Sequence, residues 1–164
     1  MKYIKSTLIT NALITLFWAC QFFSSGYVYF QWHDIPGHTW RLHDTLTFNI
    51  VVSDTSRTFD LVITVSATDD YQWRNLITQM IVEYPDGYKE QRLLNLPLSS
   101  DEGFWYGRKV SGFHEIEIPI GEIKFPKEGT YSFRLFHWMR ENEVKGIARI
   151  GLALKPVFKT QNRE

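Results

Sequence analysis

Hydrophobic and polar residues alternate with a period of two along most of this chain. From Leu46 to Val52, for example, every second residue is apolar, and the residues between them are mostly polar. This period is typical of a strand with one buried face. No segment sustains the 3.6-residue period of an amphipathic helix. Strand-like segments occur at 46–52, 61–67, 76–84, 88–96, 116–120, 131–140 and 147–154.

Turn-forming residues separate these segments. The stretch Glu83–Tyr88 contains Pro85, whose φ is fixed, and Gly87, which accepts a positive φ, so it predicts a tight hairpin. Pro119 cannot donate a hydrogen bond to a neighbouring strand and therefore predicts a sheet edge. Seven or eight short strands with regularly spaced turns predict an all-β fold over residues 30–157. We expect an antiparallel β-sandwich of the immunoglobulin-like or jelly-roll-like kind.

The most regular strand comes late in the chain, at 131–140. Its odd-numbered positions, from Tyr131 to Met139, are the predicted core face. Arg134, Trp138 and Arg140 lie on the other face, and an aromatic side chain flanked by arginines is the composition enriched at protein interfaces. The alternative is a partly covered sheet face on which the arginine stems pack over the tryptophan.

The N-terminal segment has the three parts of a secretory signal peptide. Residues 1–19 begin with Lys2 and Lys5, continue with an apolar run and end at Ala19. Cys20 follows directly, and bacterial lipoproteins are cleaved and acylated at a cysteine in this position. We therefore expect acyl chains on Cys20 to hold the protein at a membrane. Residues 20–29 would be the lipidated cysteine and tether, and residues 158–164 a polar tail.

The residues before Cys20 depart from the usual lipoprotein processing motif. Phe17 and Trp18 stand where leucine and a small residue are usual. An ordinary cleaved signal and an uncleaved anchor helix are the alternatives. The apolar run is interrupted by Asn11 and Gln21 and falls short of the roughly 20 residues that span a bilayer, which disfavours the anchor.

The charge of the mature part argues against nucleic-acid binding. Lys2 and Lys5 leave with the signal, so 16 basic residues remain against 18 acidic ones. Basic residues are scattered singly, with one adjacent pair at Arg108 and Lys109, whereas binding to phosphates requires a dense basic face. The single cysteine permits no intrachain disulfide. Stability must come from burial, and the 16% aromatic content supplies it.

The titratable residues predict neither a metal site nor a catalytic site. His33, His38 and His43 are five residues apart, a spacing that suits neither a strand face nor a helix face, so we expect solvated loop residues. No Gly-x-Ser-x-Gly motif occurs. Glu115 and Glu117 share one strand face, which we interpret as a wet exterior rather than a carboxylate pair for glycoside cleavage. We predict no enzyme activity and no cofactor.

Two neighbouring aromatic residues, Trp105 and Tyr106, suggest a further surface. Flat aromatic faces stack on carbohydrate or peptide partners, so an exposed Trp105 would belong to a recognition patch. The alternative is that Trp105 lies in the core, where full burial of such a ring contributes on the order of 2 to 3 kcal/mol. The candidate interaction residues are thus Trp105, Tyr106, Arg134, Trp138 and Arg140.

Several fragments occur in an order that matches one known family. They are Trp40 with His43–Phe48, Tyr71–Leu76, Tyr84–Gly87, Gly103–Gly107, Phe125–Tyr131, and Met139-Arg140 ahead of Gly146-Ile147. With these fragments, over roughly residues 27–157, the chain resembles the GldH family of gliding-motility lipoproteins from the Bacteroidota. The resemblance implies a cell-envelope lipoprotein linked to surface gliding, without known catalytic residues.

The resemblance and the lipoprotein-like start together indicate a function. We interpret the protein as a non-catalytic structural or adaptor subunit of an envelope protein machine. Its partners would be the membrane, through acyl chains on Cys20, and other gliding-machinery or envelope proteins. Residues 21–29 lack the Asp and Glu typical of surface-export signals in this bacterial group, which favours a periplasm-facing lipoprotein. A lipid-anchored glycan-binding β-sandwich module is the alternative.

Overall fold

The computed structural model describes residues 26–157, and this part of the chain forms eleven strands and one short 3-10 helix at Pro36–His38. The predicted signal peptide, Cys20 and the 158–164 tail lie outside the described residues. The strands are β1 (Tyr29–Asp34), β2 (Thr39–Arg41), β3 (Leu46–Val52), β4 (Thr58–Ala67), β5 (Asn75–Glu83), β6 (Lys89–Pro97), β7 (Arg108–Val110), β8 (Phe113–Lys124), β9 (Gly129–His137), β10 (Glu143–Lys145) and β11 (Ile147–Pro156).

Two antiparallel sheets pack face to face, which confirms the predicted all-β sandwich. The five-stranded sheet has the order β1-β11-β4-β8-β7, and the four-stranded sheet has the order β3-β9-β5-β6. A small third sheet pairs β10 with β2. Because β7 pairs only with Phe113–Glu115, Pro119 lies on a stretch of β8 without a partner on that side among the described residues. The predicted edge position of Pro119 is therefore confirmed.

The core lies between the inner faces of the two sheets. The alternation of β9 is confirmed, because Tyr131, Phe133, Leu135 and His137 are all buried. The rest of the largest fully buried side chains come from all three sheets and the loops: Trp40, Phe48, Ile63, Leu76, Met80, Leu96, Leu98, Phe125 and Ile147. Burial of these rings and aliphatic groups supplies the stability that a chain without disulfides needs.

Strand β9 ends at His137, three residues earlier than the predicted 131–140. The backbone N–H of Trp138 still donates to the Ile77 carbonyl oxygen, at 2.7 Å. The next backbone hydrogen bond between β5 and β9 is absent. The Ile77 N–H donates instead to the Met139 sulfur, at 3.2 Å. Trp138 and Arg140 therefore lie beyond the strand, which corrects the prediction.

Four strands lie outside the segments that alternation predicted, and β1 is the longest of them. Its core-facing side chains are Tyr29, Gln31 and His33, whereas the aromatic Phe30 and Trp32 point away from the core. His33 explains the inversion, since its Nε2 lies 2.7 Å from the Thr47 carbonyl oxygen on β3. Because polar residues take inward positions and apolar residues point outward, the usual pattern of buried apolar residues does not reveal β1. The short strands β2, β7 and β10 carry too few residues to show a period.

The sandwich has two ends with different contents. One end is the end at which the predicted tether would join the domain, and we call it the tethered end. It holds the start of β1, where Val28 N–H donates to the Leu154 carbonyl oxygen at 2.9 Å, and the β5–β6 hairpin. That hairpin forms as predicted, with Gly87 at φ +83° and the Tyr84 N–H bonded to the Tyr88 carbonyl oxygen at 2.8 Å. The far end holds the β2–β10 sheet and the loop 98–107.

Candidate interaction surfaces

Trp105 lies in the far-end loop and is half-buried rather than fully exposed. Its ring stacks on His114, with centroids 4.2 Å apart and an interplanar angle of 7°. Tyr71 approaches at 6.4 Å. One ring face of Trp105 is thus occupied from inside the protein. The neighbouring Tyr106 is 47% exposed, and its backbone N–H donates to the Leu98 carbonyl oxygen at 2.8 Å.

Arg134 lies on the outer face of the four-stranded sheet. Arg134 pairs with Thr47 of β3 on one side and with Ile81 of β5 on the other. Its Nη2 donates to Glu83 Oε2 at 2.9 Å, and its side chain is 34% exposed. This ion pair holds the guanidinium against the sheet, so Arg134 has only part of its donor surface available to a partner.

Trp138 extends this outer face towards the far end. The side chain is 55% exposed, and its ring meets Phe136 edge-on at 6.2 Å. On this outer face, Phe136 of β9, Gln79 of β5 and Leu93 of β6 lie side by side in one row across the three strands. We call Leu93, Phe136 and Trp138 the outer patch. Arg140 is exposed beyond the strand end.

Four of the five predicted interaction residues therefore form two groups. Arg134 and Trp138 share the outer face of the four-stranded sheet, whereas Trp105 and Tyr106 belong to the far-end loop. The fifth, Arg140, lies beyond the end of β9. Among residues 26–157, no ring contact joins Trp105 or Tyr106 to the outer patch.

The five-stranded sheet carries a groove on its outer face that the sequence pattern did not predict. One row across four strands consists of Trp32, Gly151, Thr64 and Glu117. The central strands thus carry small side chains and the flanking strands carry large ones, so the surface is concave. The resulting outer groove has a volume of about 310 Å³. It is lined by Tyr27, Phe30, Trp32, Arg108, Glu117 and Arg149, with Thr64 at its floor.

Gly151 shapes the floor of the outer groove. A Cβ at this position would overlap the Thr64 hydroxyl and press on the Trp32 ring. Thr64 is only 4% exposed, and its hydroxyl oxygen has no hydrogen-bond partner among the described residues. The sequence does contain a signal for this close contact. Gly151 interrupts the apolar run of β11, and a glycine inside a strand often marks a place where another group approaches the backbone closely.

An ion-pair network forms the polar wall of the outer groove. Glu115 Oε1 accepts hydrogen bonds from Ser66 and Arg149, both at 2.9 Å. The Arg149 guanidinium carbon lies 5.1 Å from the centroid of the Trp32 ring and 5.9 Å from that of Phe113. Arg149 is therefore fixed in place by a carboxylate and two aromatic faces. The predicted wet exterior is wrong for Glu115, whose side chain is only 21% exposed.

A second network lies where the chain enters the domain. Lys155 Nζ donates to Glu117 Oε2 at 2.9 Å and lies 4.8 Å from the centroid of the Tyr27 ring. Lys155 lowers the pKa of Glu117, so this carboxylate is charged at neutral pH. Burial, and after it the Glu117 carboxylate, raise the pKa of the Tyr27 phenol. The neutral phenol remains a hydrogen-bond donor next to a charged acceptor.

The three evenly spaced histidines do not converge. His33 is half-buried in β1, which corrects its interpretation as a solvated loop residue, while His38 and His43 are exposed near the far end. Across residues 26–157, no three His, Cys, Asp or Glu side chains are arranged to hold a metal ion. Over the same residues, no helix has the length and apolar character that a bilayer span requires.

Comparisons with known proteins identify the family. The model of the GldH lipoprotein family matches residues 27–154. A protein described as gliding motility lipoprotein GldH homolog, from Christiangramia forsetii, is 24% identical over 94% of this chain and 98% of its own length. The gliding motility lipoprotein GldH of Flavobacterium johnsoniae is 22% identical over 73% of this chain and 79% of its own length.

A search of solved structures adds no support for a function. The infectious bursal disease virus VP2 subviral particle covers 80% of this chain and 42% of its own chain, with 10% identity and a TM-score of 0.22. This overlap is too weak to carry an argument. The family model, in contrast, spans the sandwich from the residues before β1 almost to the end of β11, and on this match the chain belongs to the GldH lipoprotein family.

Proposed function

We propose that this protein is a non-catalytic, lipid-anchored adaptor of an envelope protein machine, the gliding apparatus or its counterpart in a species that does not glide. Membership of the GldH lipoprotein family and the names of the two relatives support a gliding-motility lipoprotein of the cell envelope. Anchoring would come from acyl chains on Cys20. The absence of Asp and Glu from residues 21–29 supports a periplasm-facing location.

The observation that carries the adaptor role is the position of the outer patch relative to the tether. The described chain begins at the tethered end, whereas Trp138 lies where β9 reaches the far end. Strand β4, with 10 residues, spans about 33 Å between the two ends. The seven residue steps from Cys20 to Tyr27 add at most about 25 Å. An anchored domain would thus present Trp138 away from the bilayer surface.

The chemistry of the outer patch fits a protein partner. Trp138 is a large exposed ring beside Phe136, Arg134 lies further along the same outer face, and Arg140 is exposed beyond the strand end. A partner that contacts this face would offer an apolar pocket for Trp138 and a carboxylate for Arg140. Confinement to the membrane raises the effective concentration of the domain near membrane-bound partners, so a modest patch suffices for association.

The test is co-purification from native envelopes with a matched pair of variants. Trp138→Ala removes the exposed ring at the far end, and Tyr88→Ala removes an exposed ring at the tethered end. We expect Trp138→Ala to lose partner proteins that the wild type and Tyr88→Ala retain, while both variants remain folded and membrane-bound. If folded Trp138→Ala recovers the same partners in the same amounts, the outer patch is not the interface.

A further inference from the structure

The outer groove lies on the sheet opposite the outer patch and has no role in the adaptor function proposed above. Its aromatic wall is a continuous series of rings. Tyr27 stacks on Phe30 at 5.3 Å with an interplanar angle of 16°, and Phe30 meets Trp32 edge-on at 5.3 Å. Phe30 is 43% exposed. Strand β1 directs Phe30 and Trp32 outward, while the polar Gln31 and His33 take inward positions. Such local conflicts in a sequence tend to occur at functional sites.

The opposite side of the outer groove offers both hydrogen-bond acceptors and donors. Glu117 provides a charged carboxylate held by Lys155, and Arg149 provides a guanidinium held by Glu115. Arg108 lines the same groove and makes no ion pair within residues 26–157. Its five donor groups are therefore available to a ligand.

One buried group at the floor also lacks a partner. The Thr64 hydroxyl oxygen makes no hydrogen bond with a described residue, although the side chain is 4% exposed. A buried hydroxyl without a partner costs free energy comparable to a lost hydrogen bond. A polar group that enters the groove beneath the edge of Trp32 would recover that cost.

We propose that the outer groove binds a saccharide chain. A sugar ring has an apolar C–H face that packs on Phe30 and Trp32, and hydroxyls at its rim that both donate and accept hydrogen bonds. Glu117 accepts such bonds, and Arg108 donates them. The volume of about 310 Å³ is at the lower limit for small-ligand pockets, so the groove takes a short portion of a longer chain.

A saccharide fits this site better than an extended peptide does. The groove crosses the face of the five-stranded sheet, where β11 and β4 each pair with neighbouring strands on both sides. A peptide on this face could not add a strand, so it would lack the main-chain hydrogen bonds that give peptide recognition much of its affinity. A saccharide needs only ring faces and side-chain hydrogen bonds.

The experiment is calorimetric titration of the full acylated chain in a zwitterionic detergent, because alkyl glycoside detergents would compete for the site. The probes are cellohexaose, chitohexaose and xylohexaose, with a pool of extended hexapeptides as a separate arm. Phe30→Ala and Arg108→Ala test the two walls of the groove. Trp138→Ala is the matched control, since it removes an exposed ring from the other sheet.

We expect at least one oligosaccharide to bind the wild type and Trp138→Ala equally. Phe30→Ala and Arg108→Ala should each raise Kd about tenfold. If Phe30→Ala unfolds, Phe30→Leu replaces it, since leucine keeps the apolar volume without the flat ring. The proposal is overturned if no oligosaccharide binds, if folded groove variants bind as the wild type does, or if only the peptides bind. None of these outcomes depends on the adaptor role, which Trp138→Ala tests by co-purification.

Discussion

The Trp105 ring lies flat on His114, with the two planes only 7° apart. His114 is in turn held by Asp69, whose Oδ1 lies 2.7 Å from its Nε2. The tryptophan that the sequence offered as a recognition platform therefore anchors the far-end loop to strand β8. Tyr106, the next residue, is the more exposed of the two.

This stack predicts unequal effects of two neighbouring truncations. Trp105→Ala removes a half-buried ring and its contact with His114, so we expect the free energy of unfolding to fall by about 2 kcal/mol. Tyr106→Ala removes an exposed ring and should change it by no more than about 0.5 kcal/mol. Urea denaturation of both variants measures the difference. Equal losses would mean that the Trp105–His114 stack contributes nothing specific.

Gly107 makes a second contact between the far-end loop and β8. Its φ is +83°, and a Cβ there would overlap the backbone carbonyl oxygen of Glu115. We expect Gly107→Ala to lower the free energy of unfolding by more than about 3 kcal/mol, since neither backbone can move without breaking the β7–β8 pairing.

Gly112 is the matched control for this substitution. It has a φ of +88°, but a Cβ there would meet open space. Gly112→Ala should therefore cost only the strain of a left-handed conformation, about 1 kcal/mol. Denaturation curves for both alanine variants test the close approach, and a Gly107→Ala curve that coincides with that of Gly112→Ala would contradict it.

His137 gives the sandwich a pH-dependent stability. It is fully buried at the end of β9, where its ring meets Trp40 at 5.7 Å. Burial lowers the pKa of His137 below its ordinary value of 6.5, although the Asn142 backbone and the Asp44 and Glu141 carboxylates act weakly in the opposite direction. No hydrogen bond of standard geometry reaches either ring nitrogen from a described residue.

The sign of the pH effect follows from this lowered pKa. Below pH 6.5 the unfolded chain takes up a proton at His137 more readily than the folded chain does. The free energy of unfolding therefore falls as the pH drops from 6.5 to the lowered folded-state pKa. His137→Phe should lose this part of the pH dependence, while His43→Phe, at an exposed position, should keep it. Parallel stability curves for wild type and His137→Phe would rule out the effect.

The sequence predicted the parts of the fold in which apolar residues point inward. Strand β9 is the clearest case, because its buried face was assigned residue by residue from Tyr131 to His137. The predicted end of β9 is too late. Trp138 and Arg140 continue the alternation of side chains, but the Ile77 N–H already bonds to the Met139 sulfur instead of to a backbone oxygen of β9. Side-chain alternation reports which face is buried, but it does not report where backbone pairing stops.

The outer groove escaped prediction for a related reason. In β1 the apolar Phe30 and Trp32 point outward and the polar His33 points inward, so a rule that places apolar residues in the core assigns the wrong faces. The groove also combines residues from distant segments, such as Trp32 and Glu117, which only the strand order β1-β11-β4-β8 brings into one row. Strand order is a property of the whole chain and cannot be read from local periodicity.

In the function proposed above, acyl chains on Cys20 hold the sandwich at a membrane. Intact mass spectrometry of the native protein, purified from its own envelope, measures this acylation itself. We expect a mature chain that starts at Cys20 and carries acyl groups, and we expect Cys20→Ala to leave the membrane fraction while the domain stays folded. A native chain without acyl groups, or a Cys20→Ala variant that stays at the membrane, would contradict the account.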